Sequence, residues 1–192
     1  MKFLSVLIFA LLLIIHVNSQ PIDESSDEEF AQRMKSARAL ADCTNWHGRE
    51  PEASVHLAKI LSAPCSIPPT FPPNLKDGWT TDPGCDAKKQ PNTCSYHVGA
   101  WGCYRHSFKN TGPGAQACYD RKGNWLSDTW QGAGTLDAET ALGSIFQQLR
   151  HYTADVVPYD NCCTTSGLPQ PSTCNLYFEK RPTGICEVKP VV

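Results

Sequence analysis

Two Cys-x-x-His pairs stand close together in this chain, Cys94-Ser-Tyr-His97 and Cys103-Tyr-Arg-His106. Two thiolates and two imidazoles are a tetrahedral zinc donor set. Only five residues separate His97 from Cys103, however, and on extended backbone Cys94 and His97 would face opposite sides. Thiols of an exported chain also oxidise before they meet a metal. No metal and no cofactor is expected. Nucleophilic catalysis has no better footing, because there is no Gly-x-Ser-x-Gly elbow and His151 has no free cysteine to activate. Cys162-Cys163 is followed by Thr164, Thr165 and Ser166 rather than by the His-Asp pair of phospholipase-like enzymes. Asp155 and Asp160 read as surface carboxylates. The chain is not expected to be an enzyme. The one candidate contact is basic: Arg121 and Lys122, at the tip of a predicted hairpin. Lys180-Arg181 is dibasic, but Pro182 follows it and should block processing. Asn92-Thr93-Cys94 is only the rare cysteine form of a glycan acceptor.

The ten cysteines decide the setting. Residues 1–19 have the form of an export signal: Lys2, an apolar run from Phe3 to Val17, then Val17-Asn18-Ser19. No later stretch holds the ~18 apolar residues of a membrane span, so a secreted chain without membrane insertion is expected. All ten cysteines follow the signal, and an even count there implies a disulfide framework built from Cys43, Cys65, Cys85, Cys94, Cys103, Cys118, Cys162, Cys163, Cys174 and Cys186. Spacing does not reveal the pairing. Without Lys2 the chain carries 16 basic and 19 acidic residues, too even a balance for a nucleic-acid partner.

The elements that must position these residues follow from periodicity. Residues 20–42 are an acidic tail and a short helix, Asp27 to Ala41, with Phe30, Met34, Ala37 and Ala41 on one face. A second helix starts near Pro51, carries Val55, Leu57, Ala58, Ile60 and Leu61, and stops at Pro64. From Pro64 to Pro73 an irregular tether is predicted. The centre is Cys94 to Leu126, where Tyr96, Trp101, Tyr104, Phe108, Tyr119 and Trp125 alternate with glycine turns. This predicts an antiparallel ribbon whose tight turn is Asp120-Arg121-Lys122-Gly123. The outer cysteines are expected to fasten to that ribbon. Gly132 to Thr135 should open a third helix, capped by Thr135 or Asp137, with Leu142, Ile145, Phe146 and Leu149 as its apolar face and an end at Val156-Val157-Pro158. Cys174 to Arg181 is compatible with strand or helix. The fold class is α+β: a small, loop-rich, disulfide-rich extracellular domain with a central antiparallel ribbon and flanking short helices.

The same residues resemble a known family. Cys43-x-x-Trp46, Ala63-Pro-Cys65, Gly84-Cys-Asp86, Cys94-Ser-Tyr-His-Val-Gly-Ala100 and Cys103-Tyr-Arg105 occur in the order of an AMOP domain. So do Gly112-Pro-Gly-Ala-Gln-Ala-Cys-Tyr-Asp120, Gly132-Ala-Gly-Thr135, His151-x-x-Ala-Asp-Val-Val-Pro-Tyr159 and Tyr177-x-x-Lys-Arg-Pro182. The resemblance covers residues 43–186, followed by a C-terminal tail at 187–192. It implies an extracellular, adhesion-associated binding module whose partner is an extracellular or cell-surface protein. It leaves the oligomeric state open. A secreted defence protein or hydrolase inhibitor, using the proline-rich Cys65–Gly84 loop, is the alternative. Two family cysteines are replaced here by Ile67 and Ala117, which implies that those positions pair with one another in the family. Trp101, Tyr104, Arg105, Trp125 and Trp130 are of types found at binding hot spots, but in so small a domain such residues are more often core or packed against disulfides, and no contact is assigned to them.

Overall fold

A computed structural model describes residues 24–107, 112–140, 144–164 and 171–188. The chain divides into two compact units, Met1–Ala37 and Arg38–Val192. The described part of the first is helical and carries an exposed Glu29–Arg33 pair one turn apart. That helix, α1 (Glu24–Arg49), runs past the predicted end at Ala41. Phe30 and Met34 are exposed, and the buried stripe is instead Ala39 and Cys43 with half-buried Trp46. Its i, i+4, i+7 spacing is helical too, and the disulfide at Cys43 selects it. No described helix is long and apolar enough to cross a membrane.

In the second unit, α2 (Ala53–Leu57) is a single short helix. Beyond it β1 (Ala63–Pro64) lies parallel to β6 (Cys186–Glu187), so Pro64 sits in a buried strand rather than merely ending a helix. The four-stranded sheet runs β2 (Thr80–Thr81), β3 (Gly102–Ser107), β4 (Gly114–Tyr119), β5 (Leu136–Asp137), all antiparallel. The predicted ribbon is β3 and β4, but Asp120–Gly123 is not the connection between them: the chain passes from Ser107 to Gly114 there, and the Asp120–Gly123 turn follows β4 and folds Trp125 back on Tyr119. Phe108 lies outside the described residues.

Alternation along β3 and β4 gives this sheet two different faces. Tyr104, Ala115, Ala117 and Tyr119 pack on one side against Ile67, Phe71, Leu75 and Trp79. The predicted tether from Pro64 to Pro73 therefore supplies part of the hydrophobic core. Ile67 and Ala117 are both buried in it. On the other side lie the Cys103–Cys118 bridge, Arg105 and Gln116.

The third predicted helix is corrected. Leu136 and Asp137 pair with β4 as an edge strand, so no helix opens at Thr135. It begins at Ser144, whose hydroxyl accepts from Gln147 N while Gln147 Oε1 accepts from Ser144 N. This capping box turns Gln147 inward and leaves Ile145, Phe146 and Leu149 of α3 (Ile145–His151) exposed. Leu142 lies outside the described residues. Nor does the run end at Val156-Val157-Pro158. Wide π-type turns flank α4 (Val157–Tyr159) and carry the helical path through Pro158 to Thr164. A π-turn already lacks the i−4 hydrogen bond that proline cannot make, which removes the usual objection. The undecided segment is helix α5 (Pro171–Lys180).

The disulfides are Cys43–Cys162, Cys65–Cys186, Cys85–Cys94, Cys103–Cys118 and Cys163–Cys174. Among the outer cysteines only Cys85 joins the ribbon segment, and the others bond among themselves. The two long closures span 119 and 121 residues, which by chain entropy contribute about 4–5 kcal/mol each.

Candidate functional site

The basic tip is built by its own turn. Asp120 Oδ1 accepts from Lys122 N at 2.8 Å and Asn124 N at 2.9 Å, and Oδ2 accepts from Asn124 Nδ2 at 2.9 Å. Gly123 has φ +86°, and a Cβ there would collide with the Ile67 carbonyl. Its own carbonyl accepts from Ile67 N at 2.9 Å. Arg121 lies 4.8 Å from the centre of the Trp101 ring, and both Arg121 and Lys122 are exposed. The predicted contact residues therefore stand on a rigid turn. The two former zinc candidates end differently: Cys94 and Cys103 are bonded to Cys85 and Cys118, and His97 and His106 are buried apart from any thiolate.

The second site lies on the sheet's charged face, where a cavity of ≈ 180 Å³ separates the sheet from the π-turn helix and α5. The strand register brings its first polar pair together, since Arg105 on β3 is directly opposite Gln116 on β4. Both reach Asp82, just after β2. Arg105 Nε donates to Asp82 Oδ2 at 2.8 Å and Gln116 Nε2 donates to the same oxygen. Asp82 Oδ1 accepts from Gly84 N at 2.8 Å. Arg105 Nη1 continues to Asp137 Oδ2 on β5.

The helical side supplies the second half. One turn separates His151 from Asp155, and His151 Nδ1 sits 3.2 Å from Asp155 Oδ2 and 3.1 Å from the Glu139 carbonyl. A carbonyl only accepts, so the proton is on Nδ1. Asp155 also receives Ala138 N at 2.8 Å, Glu139 N at 3.2 Å and Arg181 Nε at 2.7 Å. Arg181 Nη2 donates to Glu50 at 2.7 Å, and its guanidinium lies over Trp46. Asp155 is 2% exposed and Arg181 fully buried. Charges so enclosed are tolerable only when paired and hydrogen-bonded.

These surroundings shift the titrations. Burial would raise Asp155, but the His151 hydrogen bond and Arg181 outweigh it and hold its carboxyl below the usual range. Burial would lower His151; the hydrogen bond to Asp155 and the charge of Asp137 raise it. For Asp137 burial wins over Arg105, and its pKa is pushed up to about 6. His97, whose Nδ1 meets the Ala133 carbonyl at 2.8 Å, is desolvated and lowered.

Donor atoms of Asp137, His151 and Asp155 lie within 4.8 Å of one another, a spacing that suits a metal ion. They are already engaged. His151 presents N–H rather than a lone pair, and Asp137 and Asp155 each hold a guanidinium. In this protonation state the trio is held together as an ion-pair network.

One sequence reading is corrected here, and the other singled-out residues find their places. Asp155 is not a surface carboxylate but a buried group that accepts four hydrogen bonds. Tyr104 and Arg105 are buried rather than available for contact, and Trp101 and Trp125 are half-buried. Only Trp130 of that set is exposed. At Lys180-Arg181, where Pro182 is expected to block processing, Lys180 is also buried against Glu52 and Arg181 against Asp155. His151, Asp137, Asp82 and Gln116 went unseen as a group. The His151/Asp155 spacing was the one local signal of it, because i and i+4 share a helix face.

A family model described as "AMOP domain" matches residues 38–189. Comparison with curated proteins and with solved structures gave no match.

Proposed function

The chain belongs to the AMOP domain family, and from that premise we propose that it works outside the cell as a non-enzymatic protein-binding module in adhesion or signalling. The observation that carries the reading is the Arg121–Lys122 tip. Two cations project from a turn fixed by Asp120, Gly123 and Ile67, so little side-chain or backbone order remains to be imposed when a partner docks. Its complement is an acidic patch on an extracellular or cell-surface protein. The five disulfides keep the tip in place without help from a large core. The export signal expected at residues 1–19 supports secretion.

The inhibitor alternative has less behind it. Phe71, Leu75 and Trp79, the large apolar residues of the Cys65–Gly84 segment, are buried in the core and cannot plug an enzyme's cleft.

The test is binding of protein starting at Gln20 to intact cells and to extracellular matrix, with Arg121→Glu/Lys122→Glu as the variant. At least a tenfold loss of binding with an unchanged unfolding midpoint is expected. Unchanged binding overturns the tip as the contact, and tight inhibition in a protease panel would displace the adhesion reading itself.

A further inference from the structure

The cavity beside Asp137 has three properties that together specify a ligand. The first is size: at ≈ 180 Å³ it is closed enough to hold a small molecule, comparable to a cavity of about 150 Å³ that takes up benzene in another protein. The second is its wall. Tyr96, Tyr159 and Tyr177 line it and pack edge to face in series, with centroids 5.4 Å and 5.3 Å apart. Tyr96 is exposed at the mouth, whereas Tyr177 is buried. The third is its floor, made by Asp82, Asp137 and Asp155 with Arg105 and His151.

The three carboxylates are not equally satisfied. Both oxygens of Asp82 and both oxygens of Asp155 accept hydrogen bonds. Asp137 receives Arg105 on Oδ2, and His151 Nδ1 stands 3.9 Å from that same oxygen. Its Oδ1 accepts no hydrogen bond among the described residues, although Asp137 is only 3% exposed and lines the cavity. An open carboxylate oxygen on the cavity wall is an acceptor that a ligand donor can reach. Among the described residues the acceptor left open on this floor is a carboxylate oxygen, which disfavours an anion, and aromatic faces favour positive charge.

We propose that this cavity binds the head of an organic cation, an ammonium or guanidinium group, whose N–H donates to Asp137 Oδ1 beneath the rings of Tyr96 and Tyr159. The head can belong to a free amine or to a lysine or arginine side chain that a partner inserts. The site is separate from the Arg121–Lys122 tip and does not depend on it.

The experiment titrates the folded protein with n-butylammonium, neutral 1-butanol and butanoate, reading backbone amide shifts of Tyr96 and Asp137 by NMR. Capped Gly-Lys-Gly and Gly-Arg-Gly form a second arm. Saturable binding of the cation at least tenfold tighter than the alcohol is expected, with no binding of butanoate. Asp137→Asn should reduce it about tenfold. Tyr96→Leu, at a half-exposed wall position whose folding is checked by the unfolding midpoint, should weaken it about threefold, the size of an exposed cation–π contact. Binding should tighten as pH rises through about 6, where Asp137 loses its proton. Arg105, Asp82, Asp155 and His151 face it, and deprotonation of His151 acts in the same direction. Peptide binding equal to that of butylammonium assigns the site to a side chain; binding of the free amine alone assigns it to a small molecule. Equal affinity for cation and alcohol, or full affinity in both variants, overturns the proposal. Arg121→Glu/Lys122→Glu should leave the titration unchanged, so failure of one site is not failure of the other.

Discussion

Strands β3 and β4 present one backbone to two unlike interiors. On one face Tyr104 and Tyr119 meet edge to face, Tyr104 stacks on Phe71, and the contacts are almost entirely apolar. On the other, one residue away, Arg105 and Gln116 enter a layer of aspartates. The apolar face depends on volume and shape, whereas the charged face depends on partners. A tyrosine that loses its hydroxyl still fills its space; an aspartate that loses its charge leaves a guanidinium alone in a low-dielectric interior.

That contrast can be broken most directly at Asp155. Asp155→Asn conserves shape but removes the carboxylate that Arg181 and His151 share, leaving Arg181 only Glu50 and His151 only Asp137 at 3.9 Å, and a cost of about 3–5 kcal/mol is expected from the denaturant midpoint, as for other broken buried pairs. A loss no greater than ~1 kcal/mol would mean the network tolerates neutral partners and the two faces obey the same rule. Asp137 sharpens the comparison through pH. Its folded pKa of about 6 lies above the unfolded value of 3.8, so the native state holds a proton the unfolded state has released. Stability contributed by this group is full below pH 3.8 and is lost as pH rises to about 6. Against wild type, Asp137→Asn should therefore gain relative stability between pH 4 and pH 7 in thermal unfolding. A constant difference across that range would show that Asp137 is not proton-linked. The smallest effect belongs to the apolar face. Tyr104 donates to the Pro72 carbonyl at 2.7 Å, and Tyr104→Phe should cost only about 1 kcal/mol, one hydrogen bond with no cavity.

How much of this was legible in the sequence follows the same division. The ribbon strands and the existence of a turn at Asp120–Gly123 were readable, because β-alternation and turn chemistry are local, although that turn follows β4 rather than joining it to β3. The helix at Ser144 was misplaced, since Leu142, Ile145, Phe146 and Leu149 carry helical periodicity that the capping box overrides with Gln147. Disulfide pairing was closed to inspection: Cys43 meets Cys162 across 119 residues, and spacing does not encode that approach. The charged face was hidden for a related reason. Arginine and aspartate read as surface residues one at a time, and only the meeting of Glu50, Asp155 and Arg181 from three distant segments makes their burial possible. Hydropathy sees each residue alone.

The two long bridges overlap rather than nest, Cys43 to Cys162 and Cys65 to Cys186. Any single peptide bond between Cys43 and Cys186 can be cut, and at least one bridge still joins the two fragments. A protease that nicks the chain once within that span does not release a piece. The clipped molecule keeps its mass until a reductant reaches it, so in an enzyme-rich extracellular setting damage and detachment are separate events.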